Sequence, residues 1–203
     1  VTIWKDVPGV LNGDPRVFGN TVLLNQISYA EAIELAFYGA SVIHPKTLQP
    51  LQRKEIPLYV RSFLNPEGAG TSVSKGKTLE PHVPCYILKP KQVLIRLSSL
   101  DFSFMVEDNI SEVFALLYKS QMRVDMIQNS AISFSVCVNN KYNRLEELLQ
   151  ILRSKFKVTV YEDVDLYTVR HFDSEALKSI ESRKDDILLE QRAQETIQYV
   201  VKN

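Results

Sequence analysis

Residues 132–138 read ISFSVCV. Ile132, Phe134, Val136 and Val138 alternate with Ser133, Ser135 and Cys137. A period of two puts the large apolar side chains on one face, as in a strand that covers a core. Val124 to Gln128, just upstream, reads as a second strand. Before it Ile110, Val113, Phe114 and Leu117 fall at i, i+3, i+4, i+7, the spacing of an amphipathic helix. Asn109 and Glu112 have the spacing of a capping box at its start. Val93, Ile95 and Leu97 alternate ahead of that helix. Downstream, Leu145, Leu148, Leu149 and Leu152 repeat the helical stripe, and Val158 and Val160 close with a strand. The order is βαββαβ, with two helices able to cover one face of four strands.

That order is the ferredoxin-like unit, here over residues 92–163. Residues 164–203 begin it again: Leu166 to Phe172 a strand, Ser174 to Ser182 a helix, then strands at 187–191 and 196–202. The last helix and strand of this copy are missing. Pro84 to Lys89 can supply an edge strand, so the second unit is expected to be incomplete or interleaved, built from 83–90 with 164–203. The stretch Pro81 to Pro90 reads as a linker. The Ser133, Ser135, Cys137 face is left for solvent, or for side-by-side pairing in a dimer. Glu146 and Glu147 read as a solvated helix face, and Glu162-Asp163 as a turn at a strand end.

Residues 1–80 have another texture. Val1 to Trp4 is strand-like and runs into WKDVPGVLNGDPR, residues 4–16, rich in turn residues and charges. Ser28 and Glu31 form a capping box ahead of the stripe Ala32, Ile33, Ala36, Phe37, Ala40, and Gly39 fits a helix stop. His44-Pro45 opens a second helix, with Pro tolerated in the first turn and His44 bonded to backbone rather than acting as a base. Leu58 to Phe63 is a strand, Asn65 to Gly70 a loop, and Ser74 to Lys77 exposed. Strand, helix and strand in this rhythm make an α/β lobe. The fold class is α/β (α+β).

The chain has 203 residues, 45% hydrophobic and 24% charged, with 24 Lys+Arg against 24 Asp+Glu. A nucleic-acid binder would show a basic excess, so that partner is set aside. No apolar run is long enough to span a bilayer. Cys85 and Cys137 lie in apolar runs with no metal-like spacing and read as free thiols of a reducing cytoplasm.

Three stretches together carry a resemblance: IWKDVPGVLNGDPR (3–16), ISYAEAIELAFYGASVIHPKTL (27–48) and IPLYVRSFLNPEGAGTSV (56–73). They resemble the C-terminal part of the kinase domain of aspartate kinases, a partial lobe of the amino-acid-kinase type. The following βαββαβ units resemble that family's paired ACT regulatory domains. The resemblance implies transfer of the ATP γ-phosphate to the β-carboxylate of L-aspartate, with Mg²⁺, giving 4-phospho-L-aspartate for lysine and threonine biosynthesis. It implies that Lys5, Asp6, Leu11, Arg16, Ser41 and Val42 contact the nucleotide, Arg16 reaching its phosphates. A guanidinium fork suits phosphate oxygens. It also implies an amino-acid effector, lysine or threonine, at Arg123, Val124, Asp125, Gln128, Asn129 and Ser130, and a homodimer through the ACT units. No metal ligand and no covalent cofactor are implied.

The family's phosphate-cradling K-F-G-G-[TS]-S motif does not occur here. The resemblance therefore implies a C-terminal fragment with no catalytic residue of its own, inactive alone. Many relatives have Thr at Lys5, Tyr at Leu11 and Lys at Ser41. Lysine-inhibited bacterial ones have Ser at Arg123 and Glu at Ala131, so the effector stays open. Two other classes remain: a stand-alone amino-acid-sensing tandem ACT module, and an oligomerisation scaffold that binds no ligand.

Overall fold

The computed structural model describes residues 1–101, 103–181 and 186–202. The chain divides into two compact units. The first comprises Val1–Leu88 with segments that start at Tyr167 and Arg192, and the second comprises Lys89–Leu166 with most of the C-terminal strands.

In the first unit, strands β1 (Thr2–Lys5), β2 (Gln26–Ser28), β3 (Leu58–Ser62) and β4 (Thr71–Ser74) form a sheet in the order β1-β3-β4-β2. β1 runs parallel to β3, and β2 parallel to β4. β2 and β4 are too short to leave a pattern of their own, and the expected loop from Asn65 to Gly70 leads directly into β4. Helix α1 (Tyr29–Tyr38) begins where the capping box places it, with Ser28 Oγ accepting from Glu31 N at 3.0 Å. Gly39 ends it at φ 124°, a conformation that suits a residue without Cβ. Helix α2 (Pro45–Arg53) starts at His44, whose Nδ1 accepts from Lys46 N at 3.2 Å. Leu24, Ile27, Leu48, Leu58, Val60 and Val73 are fully buried in this unit's core.

A buried ion pair ties α1 to the strand end around Arg170. Arg170 donates to Glu31 through Nε (2.9 Å) and Nη2 (2.8 Å), and through Nη1 to Thr196 Oγ1 (2.8 Å). His171 Nε2 lies 3.0 Å from Glu31 Oε2. Burial opposes ionisation of Glu31, but the bonds from Arg170 and His171 outweigh it and hold the carboxyl at about 2.

The other sheet, most of it in the second unit, consists of β5 (Cys85–Ser98), β6 (Arg123–Asn129), β7 (Ser133–Asn139), β8 (Lys157–Arg170), β9 (Ile187–Ala193) and β10 (Thr196–Lys202) in the order β6-β7-β5-β8-β10-β9. Helices α3 (Glu107–Lys119) and α4 (Leu145–Arg153) cover one face. The part β5-α3-β6-β7-α4-β8 has the expected ferredoxin-like order. Helix α5 (Ser174–Glu181) is capped by Asp173 Oδ1, which accepts from Ala176 N at 2.8 Å. The last expected residue of that helix, Ser182, lies outside the described residues.

Four local readings are corrected. The stretch taken as a linker enters β5 at Cys85, and that strand continues through Pro90 to Ser98. Pro90 has no N–H to leave unpaired, and the N–H of Lys91, at φ 55°, finds Asp165 Oδ1 at 3.2 Å. Glu162-Asp163 is inside β8 rather than at its end, with Asp163 bent to φ 51°. Asn109 is not the cap of α3: the helix starts three residues earlier, and Asn109 Oδ1 accepts from Val106 N at 3.2 Å. Finally, the Ser135 and Cys137 face of β7 is buried, not free. Cys137 packs with Leu94, Met126, Val164, Leu166, Leu189 and Val200. The sheet curls enough for Gln128 of β6 to donate to Glu190 O of β9, at 3.3 Å. Among the described residues no helix is long and apolar enough to cross a membrane.

Candidate nucleotide cleft and a polar strand

A cleft of about 470 Å³ opens in the first unit. That is the size range of small-molecule sites. Lys5, Asp6, Leu11, Arg16, Ser41 and Val42 all line it, so the structure brings together six residues drawn from two distant stretches. β1 delivers Lys5 and Asp6 at its C-terminal end. The Gly39 cap turns the chain out of α1 and sets Ser41 and Val42 on the opposite stretch of the lining.

The loop from Val10 to Arg16 is held by its backbone. Leu11 bridges to Leu23, Asn12 N donates to Val22 O (2.9 Å), and Leu24 N donates to Val10 O (2.9 Å). Gly9 lies so close to Thr71 that a Cβ there would stand 2.5 Å from its Oγ1. Thr71 Oγ1 accepts from Val10 N at 2.8 Å.

Sequence reasoning missed Asn12, which is buried. Its Oδ1 accepts from Val22 N (2.7 Å), its Nδ2 donates to Pro84 O (2.9 Å), and its own carbonyl accepts from Tyr86 N (2.6 Å). One side chain thus pins the loop to the start of β5, which supplies Cys85 to Leu88 to the cleft. An Asn inside a turn-rich stretch offers no sequence signal for this, because its partners lie 10 and 72 residues away. Asn12→Ala is expected to cost about 1–3 kcal/mol, since it removes two part-buried hydrogen bonds. A shift of the urea midpoint at unchanged m-value checks it.

Arg16 is 84% exposed and forks onto Asp14, with Nε to Oδ1 at 3.0 Å and Nη2 to Oδ2 at 2.6 Å. These bonds lower the Asp14 pKa and raise that of Arg16. Cys85, at the cleft wall, is pushed up to about 12 by burial, as is Cys137. Both thiols are protonated at neutral pH and are poor nucleophiles. The cleft therefore offers two cations, Lys5 and Arg16, balanced by two carboxylates, Asp6 and Asp14, among apolar side chains, a lining that suits a ligand with both polar and apolar parts. Among the described residues no cluster of three or more His, Cys, Asp or Glu is placed to hold a metal ion.

The other predicted set lies along β6 and the turn after it. Asp125 is 4% exposed, and its Oδ1 accepts from Lys89 Nζ at 2.7 Å, with Arg123 Nε at 3.4 Å. Gln128 bonds to β9 backbone as described, Asn129 stands opposite Phe134, and Ser130 N donates to Ser133 O at 2.8 Å. Val124 is half-buried against the helical face. The residues share a strand, but each has a partner within the chain.

Residues 1–62 match the model of the amino acid kinase family. Lysine-sensitive aspartokinase 3 of Escherichia coli (strain K12) is 36% identical over 139 residues, 68% of this chain and 31% of that protein. A bifunctional aspartokinase/homoserine dehydrogenase of Daucus carota is 29% identical over 77% of this chain and 18% of its own length. The crystal structure of E. coli aspartokinase III with lysine and aspartate (T-state) superposes with a TM-score of 0.78 at 28% identity, covering 99% of this chain and 48% of that one. Its complex with aspartate and ADP (R-state) gives 0.77 at the same identity and coverage. The chain thus spans about a third to a half of the E. coli proteins it matches.

Proposed function

The chain belongs to the aspartokinase family, and from that premise we propose that its first unit is the nucleotide wall of an aspartate kinase and its second the regulatory part. The observation that carries the reading is the convergence of Lys5, Asp6, Leu11, Arg16, Ser41 and Val42 on one cleft. The E. coli relative binds ADP and aspartate in its R-state. In the proposed reaction a β-carboxylate oxygen of L-aspartate attacks the γ-phosphorus of ATP. The bond from that phosphorus to the bridging oxygen breaks, and ADP leaves with the electron pair. Mg²⁺, bound with the ATP, would neutralise phosphate charge.

This chain's residues bind and orient. Leu11 and Val42 offer apolar surface to the adenosine part, Lys5 and Asp6 contact its polar groups, and Arg16 attracts the phosphates. Positioning and charge neutralisation are most of what phosphoryl transfer requires of a protein. The acceptor wall is not among these residues, so residues 1–203 alone are expected to release no ADP in response to aspartate. Aspartate-dependent ADP release by the full-length protein, with the acyl phosphate trapped as its hydroxamate, tests the reaction. Absence of both products would refute it.

The regulatory reading places an amino acid, lysine or threonine, on β6, where its ammonium would displace Lys89 from Asp125. A lysine complex of the E. coli relative supports this class of effector. A thermal-shift titration with each amino acid decides, because a ligand at 100 times its Kd adds about 2.7 kcal/mol. We also read the protein as a cytoplasmic homodimer paired through its ferredoxin-like units, with domains at 1–80, 92–163 and 83–90 with 164–203. Light scattering measures the oligomer.

A further inference from the structure

We infer that Asp14 is a positioning residue for phosphate. It grips the Arg16 guanidinium by one edge and leaves the other edge for the oxygens of a nucleotide. The inference rests on the cleft reading above and adds a role for a carboxylate that reading does not use.

The grip is specific. Asp14 Oδ1 accepts from Arg16 N (2.9 Å) and Nε (3.0 Å), and Oδ2 accepts from Nε (3.2 Å) and Nη2 (2.6 Å). The Asp14 carbonyl accepts from Val17 N (2.9 Å) and Phe18 N (2.8 Å), so a closed backbone turn fixes the carboxylate itself. Arg16, at 84% exposure, has little packing to limit its rotamers. Asp14 is its partner among the described residues. A guanidinium carries five N–H donors. The carboxylate uses the Nε–H and one hydrogen on Nη2. One hydrogen of Nη1 and the second of Nη2 form another fork, on the adjacent edge of the same plane. A phosphate can take that fork while Asp14 stays bound.

The alternative role for a carboxylate here has the opposite sign. As a bare negative charge in a phosphate cleft, Asp14 would repel the ligand, and removing its charge would tighten binding. As a positioning group, its removal frees a long, flexible side chain and weakens binding. Affinity therefore separates the two.

The experiment measures binding of MgADP and of adenosine to the full-length protein and to D14N, R16A and the double variant. Asp14→Asn keeps an Oδ1 acceptor for Arg16 N, so the turn persists, and melting curves verify folding. We expect D14N to weaken MgADP about tenfold, the size of one charged hydrogen bond. Adenosine affinity should stay unchanged, and D14N should have no effect in the R16A background. The KM for ATP should rise with kcat nearly constant. Unchanged or tighter MgADP binding by D14N, while R16A weakens it, overturns the positioning role alone. Unchanged MgADP binding by R16A overturns the cleft reading and this inference together.

Discussion

Arg170→Ala should lower stability by about 3–5 kcal/mol, because it strands a buried carboxylate. Glu31 and Arg170 side chains are 9% and 11% exposed, and the pair is bidentate. Water cannot replace the guanidinium. The pH dependence gives a second readout. In the fold Glu31 is held at about 2, against 4.5 for a free glutamate. The unfolded chain binds more protons between those values, so acid favours unfolding. The contribution of Glu31 is complete above pH 4.5 and is lost as pH falls toward about 2. A shift of this size corresponds to about 3 kcal/mol. In Arg170→Ala, burial acts with less opposition and raises the Glu31 pKa. This part of the acid limb should then shrink or reverse. Urea melts at pH 7, 4 and 3 on both proteins measure it. A variant with an unchanged midpoint at pH 7 would show that solvent reaches Glu31 freely.

Phe134→Ala is expected to cost a similar amount, about 3–5 kcal/mol, through a cavity rather than a charge. Phe134 is 1% exposed, the second residue of β7, in the core covered by α3 and α4. Its ring meets that of Phe114 edge-on, with centroids 5.9 Å apart. Its neighbours Ile95, Val113, Val136, Leu148 and Leu149 are themselves fully packed, which limits collapse into the hole. The loss should be independent of pH between 3 and 7, unlike that of Arg170→Ala. Calorimetry across that range separates the two mechanisms.

What was legible followed the range of the physical signal. The ISFSVCV alternation and the Leu145–Leu152 stripe are local and strong, and both elements appear where expected. The Ser28 cap was equally local. The burial of Cys137 was not, since the residues that cover it come from β5, β6, β8, β9 and β10. A small polar–apolar alternation reads as one wet face until a curled sheet closes over it. β2 and β4, with 3 and 4 residues, are strands because they pair with each other and β3, not because of their composition. The cleft residues were identified by motif resemblance, and the structure adds the contacts that hold them, above all Asn12 and Thr71. The Glu31–Arg170 pair joins positions 139 apart, a separation no periodicity reports.

The division between the two compact units cuts the strands β5, β8, β9 and β10. Modularity is therefore not a property of this sequence, although its texture suggests modules. A gene truncated after Leu166 would strip β9 and β10 from the sheet and expose β8 as an edge. It would also take Arg170 and Thr196 away from Glu31. Recombination that shuffles domains as cassettes has no clean joint here. A copy cut after Leu166 should be aggregation-prone, because β8 would present unpaired N–H and C=O groups to a second chain.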